Sequence, residues 1–139
     1  MIKLLIVDVD GIMTDGIKYY NRDGEVKLKT FCDKDWTSIK RFRAAGVHVV
    51  FLTGDGYNVM ILENRNLHVI TNRGKGFHSD KANYLSEILE EYECTAEDTA
   101  FIGDDLFDIG IMRKVAVSYT HLRAHETSLH LVCRLLLEK

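Results

Sequence analysis

The chain has 139 residues, of which 46% are hydrophobic and 28% are charged, and its formal net charge is -3. This length and composition are typical of one globular domain with a packed core, and they exclude a disordered chain. The negative charge argues against nonspecific nucleic-acid binding, and no apolar run approaches the roughly 20 residues of a membrane span. The three cysteines lack zinc-site or disulfide spacing, so we expect a cytoplasmic protein without a membrane partner.

An apolar run at the start of the chain predicts a first strand at about residues 3–9. A run rich in leucine, isoleucine and valine is typical of a strand buried in a parallel sheet. This run ends in Asp8 and Asp10, and Gly11 follows and lets the chain turn sharply. Residues 17–20 and 25–30 flank the turn signal Asn21-Arg22-Asp23-Gly24 and predict a projecting β-hairpin.

The rest of the chain alternates helix and strand patterns. Asp35 is the candidate N-cap of a helix that runs to about Ala45 and ends at Gly46, with Trp36, Ile39 and Phe42 facing inward. Strand patterns then cover residues 47–52, 68–71 and 99–102. One helix pattern follows Thr53-Gly54 and runs to about residue 66, and two more cover residues 80–92 and 106–114. Residues 115–117 form an apolar fragment. This alternation predicts an α/β fold with a parallel sheet and right-handed crossovers.

Polar side chains stand at the carboxyl ends of three predicted strands. Asp8 and Asp10 end the first strand, Thr53 ends the second and Asp104 ends the fourth. In open α/β sheets this edge is where ligands bind. If these strands are neighbours, the carboxylates repel one another by several kcal/mol, and a divalent cation removes that repulsion. Oxygen ligands favour Mg²⁺, which is usually shared with a phosphate.

Further residues fit a phosphate ligand at the same edge. The Thr53 hydroxyl and the adjacent backbone N–H groups, including that of Gly54, suit a phosphoryl oxygen at a helix N-terminus. Lys81 can supply the positive charge that phosphoryl transfer requires. Asp108 stands one helical turn after Asp104 and can face the same pocket.

A purely structural interpretation remains open for each of these residues. Acidic residues at strand ends often solvate loops or cap helices, as Asp80 can, and Thr53 can simply terminate a strand. Lys81 is by default a solvated helix residue. The loop at residues 72–78 is basic and glycine-rich but lacks Walker spacing, so it also fits an ordinary surface loop.

Taken together and in order, four motifs resemble those of the haloacid dehalogenase-like (HAD) phosphatases. They are Asp8-Val9-Asp10-Gly11-Ile12-Met13-Thr14-Asp15-Gly16, Leu52-Thr53-Gly54, Ser79-Asp80-Lys81 and Ile102-Gly103-Asp104-Asp105-Leu106-Phe107-Asp108. With its hairpin insertion the chain is similar to the small capless branch that acts on octulosonate 8-phosphate and nonulosonate 9-phosphate. The resemblance implies a HAD-like Rossmannoid three-layer sandwich without a cap domain.

The resemblance also implies roles for individual residues. Asp8 resembles the nucleophile that forms an aspartyl phosphate, and Asp10 resembles the acid that protonates the leaving oxygen and then activates water. By similarity Mg²⁺ is held by the Asp8 carboxylate, the Asp10 backbone carbonyl and Asp104, with Asp105 or Asp108 acting through water or in an outer shell. Thr53 and Lys81 would hold the phosphoryl oxygens, and the hairpin would mediate a homotetramer.

The substrate expected from the resemblance is a phosphorylated 2-keto-3-deoxy sugar acid. Asp55 stands where the octulosonate phosphatases generally carry arginine, and we expect it to repel a substrate carboxylate. An acidic residue there is more similar to the nonulosonate phosphatases, in which it can accept hydrogen bonds from hydroxyls. Arg73, Lys75 or His78 could instead bind the carboxylate.

The end of the chain departs from the family. Residues 118–139 resemble translated read-through of a sequencing adaptor, which predicts a phosphatase domain at residues 1–117 and a non-native tail. The opposing interpretation is a natural interaction helix, because Leu129, Val132, Cys133 and Leu136 form an apolar stripe. A second functional class also stays open, a noncatalytic HAD-like oligomerisation module associated with sugar-acid activation. The presence of both Asp8 and Asp10 favours the enzyme.

Overall fold

A computed structural model of the chain describes residues 1–71 and 80–119. Their strands are β1 (Leu4–Val7), β2 (Tyr19–Tyr20), β3 (Val26–Leu28), β4 (His48–Thr53), β5 (His68–Thr71), β6 (Thr99–Ile102) and β7 (Val117–Tyr119). Their α-helices are α1 (Asp33–Ala44), α2 (Gly56–Glu63), α3 (Leu85–Glu91) and α4 (Ile109–Met112), with short 3-10 turns at Lys81–Tyr84, Ala96–Asp98 and Leu106–Asp108. The predicted α/β fold is confirmed.

Five strands form a parallel sheet in the order β5-β4-β1-β6-β7. β1 lies at the centre, where Val7 pairs with Phe51 of β4 on one side and with Ile102 of β6 on the other. The chain builds the sheet outward from β1 through β4 to β5 and then crosses to β6 and β7. The strand order therefore reverses between β1 and β6, and the crevice at such a reversal is where open α/β sheets bind ligands.

The core lies on both faces of the sheet because successive residues of a buried strand point to opposite sides. Leu5 and Val7 of β1 pack on one face with the inward side of α1, and Leu4 and Ile6 pack on the other with α3. The predicted inward residues of α1 are buried, namely Trp36, Ile39 and Phe42. Helices on both faces give the three-layer arrangement that the sequence predicts.

The predicted β-hairpin is confirmed, although its strands are shorter than expected. β2 and β3 pair in antiparallel fashion, and the Asn21 side chain closes the turn by accepting hydrogen bonds from the backbone N–H groups of Asp23 (3.0 Å) and Glu25 (2.9 Å). The base of the hairpin is held by a bridge between Thr14 and Phe31. Large apolar side chains are exposed on the hairpin, namely Ile17, Tyr19, Tyr20 and Leu28.

The predicted start of the first helix is wrong. α1 begins at Asp33 with Cys32 as its N-cap residue, so Asp35 lies inside the first turn rather than capping it. An acidic residue there still stabilises the helix, because it faces the positive end of the helix dipole. The second helix follows Thr53-Gly54 as predicted. α2 begins at Gly56, and its cap is Asp55, whose side chain accepts a hydrogen bond from the Tyr57 N–H at 3.0 Å.

Helix ends agree with the sequence in part. Gly46 follows α1 with φ of +84°, a conformation that favours glycine, as predicted. α2 ends at Glu63, three residues earlier than expected. Asp80 does cap the next segment, because its side chain accepts a hydrogen bond from the Ala82 N–H at 2.8 Å, but that segment is a 3-10 turn followed by α3.

The last described strand extends beyond the predicted apolar fragment. Ser118 and Tyr119 pair with Phe101 and Ile102 of β6, so the sheet continues past residue 117. The rest of the predicted tail, with its apolar stripe, lies outside the described residues, and the domain boundary stays a prediction. Among the helices of residues 1–71 and 80–119, none has the length and apolar character needed to cross a membrane.

Candidate active site

The central strands carry acidic residues to the edge where the strand order reverses. Asp8 directly follows β1, and its N–H donates a hydrogen bond of 2.8 Å to the Ile102 carbonyl at the end of β6. Asp104 lies two residues after Ile102, the last residue of β6. Gly11 allows the loops to approach, because it has φ of +82° and a Cβ at this position would collide with the Asp104 carboxylate.

Three carboxylates meet at this edge and define the acidic cluster: Asp8, Asp104 and Asp108. One oxygen from each residue lies within 4.8 Å of the others. Asp8 and Asp104 were expected here, and the spacing of Asp108 from Asp104 also predicted that it can face this pocket, although the family resemblance implied a role through water or in an outer shell. The Leu106–Asp108 turn brings Asp108 into the cluster, where its Oδ2 accepts a hydrogen bond from the Asp105 N–H at 2.9 Å. The Asp105 side chain instead caps that turn, with Oδ1 2.6 Å from the Leu106 N–H.

Lys81 places a positive charge against the acidic cluster. Its ammonium lies 2.7 Å from Asp8 Oδ1 and 2.7 Å from Asp108 Oδ1, and the residue is buried. Burial lowers the pKa of Lys81, but attraction to Asp8 and Asp108 outweighs burial and leaves this pKa above its ordinary value. Lys81 therefore stays charged and is not a solvated surface residue.

The carboxylates themselves hold protons more tightly than usual. Burial raises the pKa of Asp8 to about 7, although the charge of Lys81 opposes the shift. Burial and the neighbouring Asp108 and Asp105 charges raise the pKa of Asp104 as well. One lysine therefore does not balance this cluster, and a bound cation would favour the charged carboxylates.

The residues of the cluster fit a divalent cation. Asp108 Oδ1 is buried, and the Lys81 ammonium that lies 2.7 Å from it is shared with Asp8 Oδ1. The donor set consists of carboxylate oxygens, which Mg²⁺ prefers over nitrogen or sulfur ligands. Asp8, Asp104 and Asp108 are the residues whose carboxylates could hold it.

Asp10 faces a separate set of partners. Its Oδ1 accepts a hydrogen bond of 2.6 Å from the Lys29 ammonium, and its Oδ2 accepts one of 3.1 Å from the Asn58 side-chain amide. The Lys18 ammonium lies 3.7 Å from Asp10 Oδ2. The metal role that the resemblance gave to the Asp10 backbone carbonyl stays a prediction.

Lys18, Lys29 and Asn58 were not predicted as site residues from the sequence. Lys18 and Lys29 belong to the hairpin segment, and no motif marks them, because only the folding back of the hairpin brings them to Asp10. For Asn58, the sequence offered one signal, its spacing from Asp55. It lies three residues after Asp55 at the start of α2, so the two side chains share a helix face.

Asp55 is paired within the protein. Its Oδ2 accepts hydrogen bonds from Lys18 at 2.8 Å and Lys29 at 2.9 Å. Although burial raises the pKa of Asp55, these two ammonium groups lower it well below its ordinary value. The carboxylate is therefore charged but offset by two lysines, which weakens the predicted repulsion of a substrate carboxylate.

Thr53 is buried at the end of β4, where its Oγ1 accepts hydrogen bonds from the Asn58 amide at 3.0 Å and the Asp55 N–H at 3.3 Å. Half-buried Gly54 follows it toward α2. The predicted substrate-binding residues Arg73, Lys75 and His78 lie outside the described residues.

The chain is similar to proteins that are named as phosphatases of 3-deoxy-D-manno-octulosonate 8-phosphate. The chain is 38% identical over 125 residues to the 3-deoxy-D-manno-octulosonate 8-phosphate phosphatase of Yersinia pestis, across 89% of this chain and 65% of that protein. A crystal structure of this phosphatase from Yersinia pestis matches with a TM-score of 0.80 at 30% identity, covering 98% of this chain and 80% of that chain.

A further match is the phosphatase of the same name from Moraxella catarrhalis, solved in complex with a magnesium ion, a phosphate ion and a KDO molecule. Its TM-score is 0.78 at 26% identity, covering 99% of this chain and 86% of that chain. No protein-family model matches the chain. The chain spans less than two thirds of the length of the curated relatives that it matches, 65% in the case of Yersinia pestis.

Mg²⁺ should stabilise the protein more at pH 8 than at pH 6. The pKa of Asp8 is raised to about 7 in the folded protein. The protonated carboxyl therefore stabilises the fold fully at pH values below the pKa of the unfolded state, and this stabilisation is lost as the pH rises through 7. At pH 6 the cation must displace a proton, so its affinity should be about tenfold weaker than at pH 8.

Thermal melts with and without Mg²⁺ at the two pH values measure this difference. Asp104→Asn should reduce the Mg²⁺-induced rise in Tm, whereas Glu97→Gln, a change at an exposed carboxylate outside the cluster, should leave it intact. An equal or larger rise at pH 6 in the unsubstituted protein would contradict the assignment.

Proposed function

The chain belongs to the family of 3-deoxy-D-manno-octulosonate 8-phosphate phosphatases within the HAD superfamily, and we propose that it hydrolyses the phosphate monoester of a sugar acid with Mg²⁺. The observation that carries this proposal is the position of the Asp8 carboxylate. It lies at the strand-order reversal, 2.7 Å from the Lys81 ammonium and within the acidic cluster. A nucleophile, a fixed positive charge and candidate metal ligands therefore share one site.

The proposed reaction has two steps. In the first, an Asp8 carboxylate oxygen attacks phosphorus, the bond from phosphorus to the sugar oxygen breaks, and Asp10 donates a proton to that oxygen. In the second, Asp10 takes a proton from water, the water oxygen attacks the aspartyl phosphate, and Asp8 is regenerated as inorganic phosphate leaves. When bound at the cluster, Mg²⁺ supplies positive charge that offsets the carboxylates and the phosphoryl oxygens.

Two residues are placed to hold the phosphoryl group beside Asp8. Lys81 already contacts the carboxylate that would attack, so its ammonium can bind a phosphoryl oxygen as the phosphorus approaches. Thr53 lies at the end of β4, the neighbour of β1, with Gly54 leading toward the start of α2. Its hydroxyl and the following N–H groups suit a second phosphoryl oxygen.

The substrate is proposed from the names of the relatives and from Asp55. Octulosonate 8-phosphate is the substrate named for the relatives, and nonulosonate 9-phosphate is the variant that an acidic residue at position 55 favours. Lys18 and Lys29 beside Asp55 add positive charge to the same region. Both compounds carry a carboxylate as well as a phosphate, and a side-by-side comparison of them decides between the two.

Asp8→Asn should abolish phosphate release while the fold stays intact, because the amide cannot attack phosphorus. Asp10→Asn should lower kcat by about 10²- to 10⁴-fold, the usual contribution of a general acid–base group. Chelation of Mg²⁺ should stop the reaction, and Mg²⁺ should restore it.

The assay measures phosphate release from both candidate substrates, with circular dichroism as the folding check and Glu97→Gln as the matched control. Unchanged turnover in Asp8→Asn would reject the nucleophile. If the unsubstituted chain binds Mg²⁺ but releases no phosphate from any sugar-acid phosphate, the noncatalytic module becomes the better interpretation.

The assembly proposed from the resemblance is a homotetramer formed through the hairpin. Four large apolar side chains are exposed there, and Tyr19 pairs with Leu28 across the two strands. An exposed apolar patch on a short hairpin is typical of a protein–protein interface. A neighbouring hairpin could also enclose the otherwise open site and exclude water.

Tyr19→Ser combined with Leu28→Ser should lower the oligomeric mass, because the change removes paired apolar side chains without touching the lysines that face Asp10. Turnover should fall with dissociation if a neighbouring hairpin encloses the site. Light scattering measures the mass, and Lys27→Ser, at an exposed position on the same strand, is the control. A monomeric unsubstituted protein would contradict the proposal.

A further inference from the structure

We propose that Lys29 and Asn58 are positioning residues that fix the orientation of the Asp10 carboxylate. The inference deepens the proposed function, since it rests on the role of Asp10 as the acid and base of the reaction. Neither residue belongs to the four motifs, and both are buried beside a site that opens to solvent. Their contacts reach Asp10 from two different parts of the fold.

The Lys29 ammonium is fully committed to protein acceptors. Its side chain is 0% exposed, and its three N–H donors have three partners: Asp10 Oδ1 at 2.6 Å, Asp55 Oδ2 at 2.9 Å and Asn58 Oδ1 at 2.8 Å. A buried ammonium is costly unless every donor is paired. The observed position of the Lys29 side chain therefore pairs all three donors, and Asp10 provides one of the three acceptors.

Asn58 holds the other oxygen of Asp10. Its Nδ2 donates to Asp10 Oδ2 at 3.1 Å and to Thr53 Oγ1 at 3.0 Å, while its Oδ1 accepts from Lys29. Because the oxygen faces an ammonium, the network fixes which end of the amide points to Asp10. Both carboxylate oxygens of Asp10 are thus held, and the same amide links Asp10 to Thr53.

The exposure of Asp10 explains why such support matters. Its side chain is 31% exposed, so without partners the carboxylate could rotate into the solvent-facing part of the site. A proton donor has to lie within hydrogen-bond reach of the leaving oxygen, and small misplacements of reacting groups lower rates strongly. Lys29 follows β3 and Asn58 lies in the first turn of α2, so residues from two separate elements set the direction of Asp10.

A structural role and a positioning role both predict a loss of stability when Lys29 is replaced, because the change leaves Asp10 and Asp55 without this partner. Turnover distinguishes the two roles. Lys29→Met keeps much of the side-chain volume and removes the charge and all three hydrogen bonds. If Lys29 acts through Asp10, the effect of Lys29→Met on turnover should depend on whether Asp10 is present.

A double-mutant cycle tests this dependence. We expect Lys29→Met to lower kcat on a sugar-acid phosphate by about 10- to 100-fold, less than loss of the acid–base group itself, and to change KM by less than about threefold. Lys29→Met added to Asp10→Asn should lower kcat by less than about threefold further. Lys27→Met, on the exposed side of the same hairpin, should leave kcat unchanged.

Independent, multiplicative losses in the cycle would overturn the proposal, as would a loss confined to KM, which would assign Lys29 to substrate binding. Thermal melting checks the fold of each variant. If Lys29→Met does not fold, Asn58→Leu replaces it in the same cycle, with the same expectation. Failure of both variants to fold would show a structural role and would also overturn the proposal.

A crystal structure of Lys29→Met gives a readout that does not need turnover. The Asp10 carboxylate should leave its position against Asn58, and an unmoved carboxylate would reject the inference. Together with the activity assay, this crystal structure distinguishes the proposed function from the proposed role of Lys29. An inactive unsubstituted chain would refute the proposed function, whereas an active chain with an unmoved Asp10 in the variant would refute only the role of Lys29.

Discussion

The structure depends on the electrostatic balance at the point where the strand order reverses. Asp8, Asp104 and Asp108 are brought together by the loops after β1 and β6, and two of them are buried. Carboxylates this close repel one another strongly in a poorly solvated site. Lys81 offsets that repulsion at Asp8, but burial of the carboxylate still raises its pKa to about 7. Three carboxylates face one lysine here, and a divalent cation would favour their charged forms.

The central strands could be predicted from the sequence because their apolar runs reflect burial on both faces. The predicted strand at 99–102 matches β6 residue for residue, and the predicted strand at 68–71 matches the partly exposed edge strand β5. The start of α1 was less accurate. Asp33 and Asp35 both lie in the first turn, and the cap position falls on Cys32, which makes no side-chain cap hydrogen bond and therefore carries no capping signal in the sequence.

The residues of the candidate site also differ in whether the sequence could predict them. Asp8 and Asp104 could be predicted, since each follows a recognisable strand and parallel strands align their carboxyl ends. Lys29 and Asn58 could not, because they meet Asp10 only after the hairpin and α2 have folded against the loop after β1. The neutralisation of Asp55 by Lys18 and Lys29 has the same origin. The expected repulsion of a substrate carboxylate considered the charge of Asp55 alone, but the local charge is the sum of Asp55, Lys18 and Lys29.

The central claim is that Asp8 attacks phosphorus, and trapping of the covalent intermediate tests it most directly. Borohydride reduces an aspartyl phosphate to homoserine, so the protein is mixed with Mg²⁺ and a sugar-acid phosphate, treated with borohydride during turnover, digested and analysed by mass spectrometry. The account predicts homoserine at position 8 only when substrate is present. Modification at Asp10 instead, or an unmodified Asp8 in a protein that is turning over and treated in the same way, would contradict it.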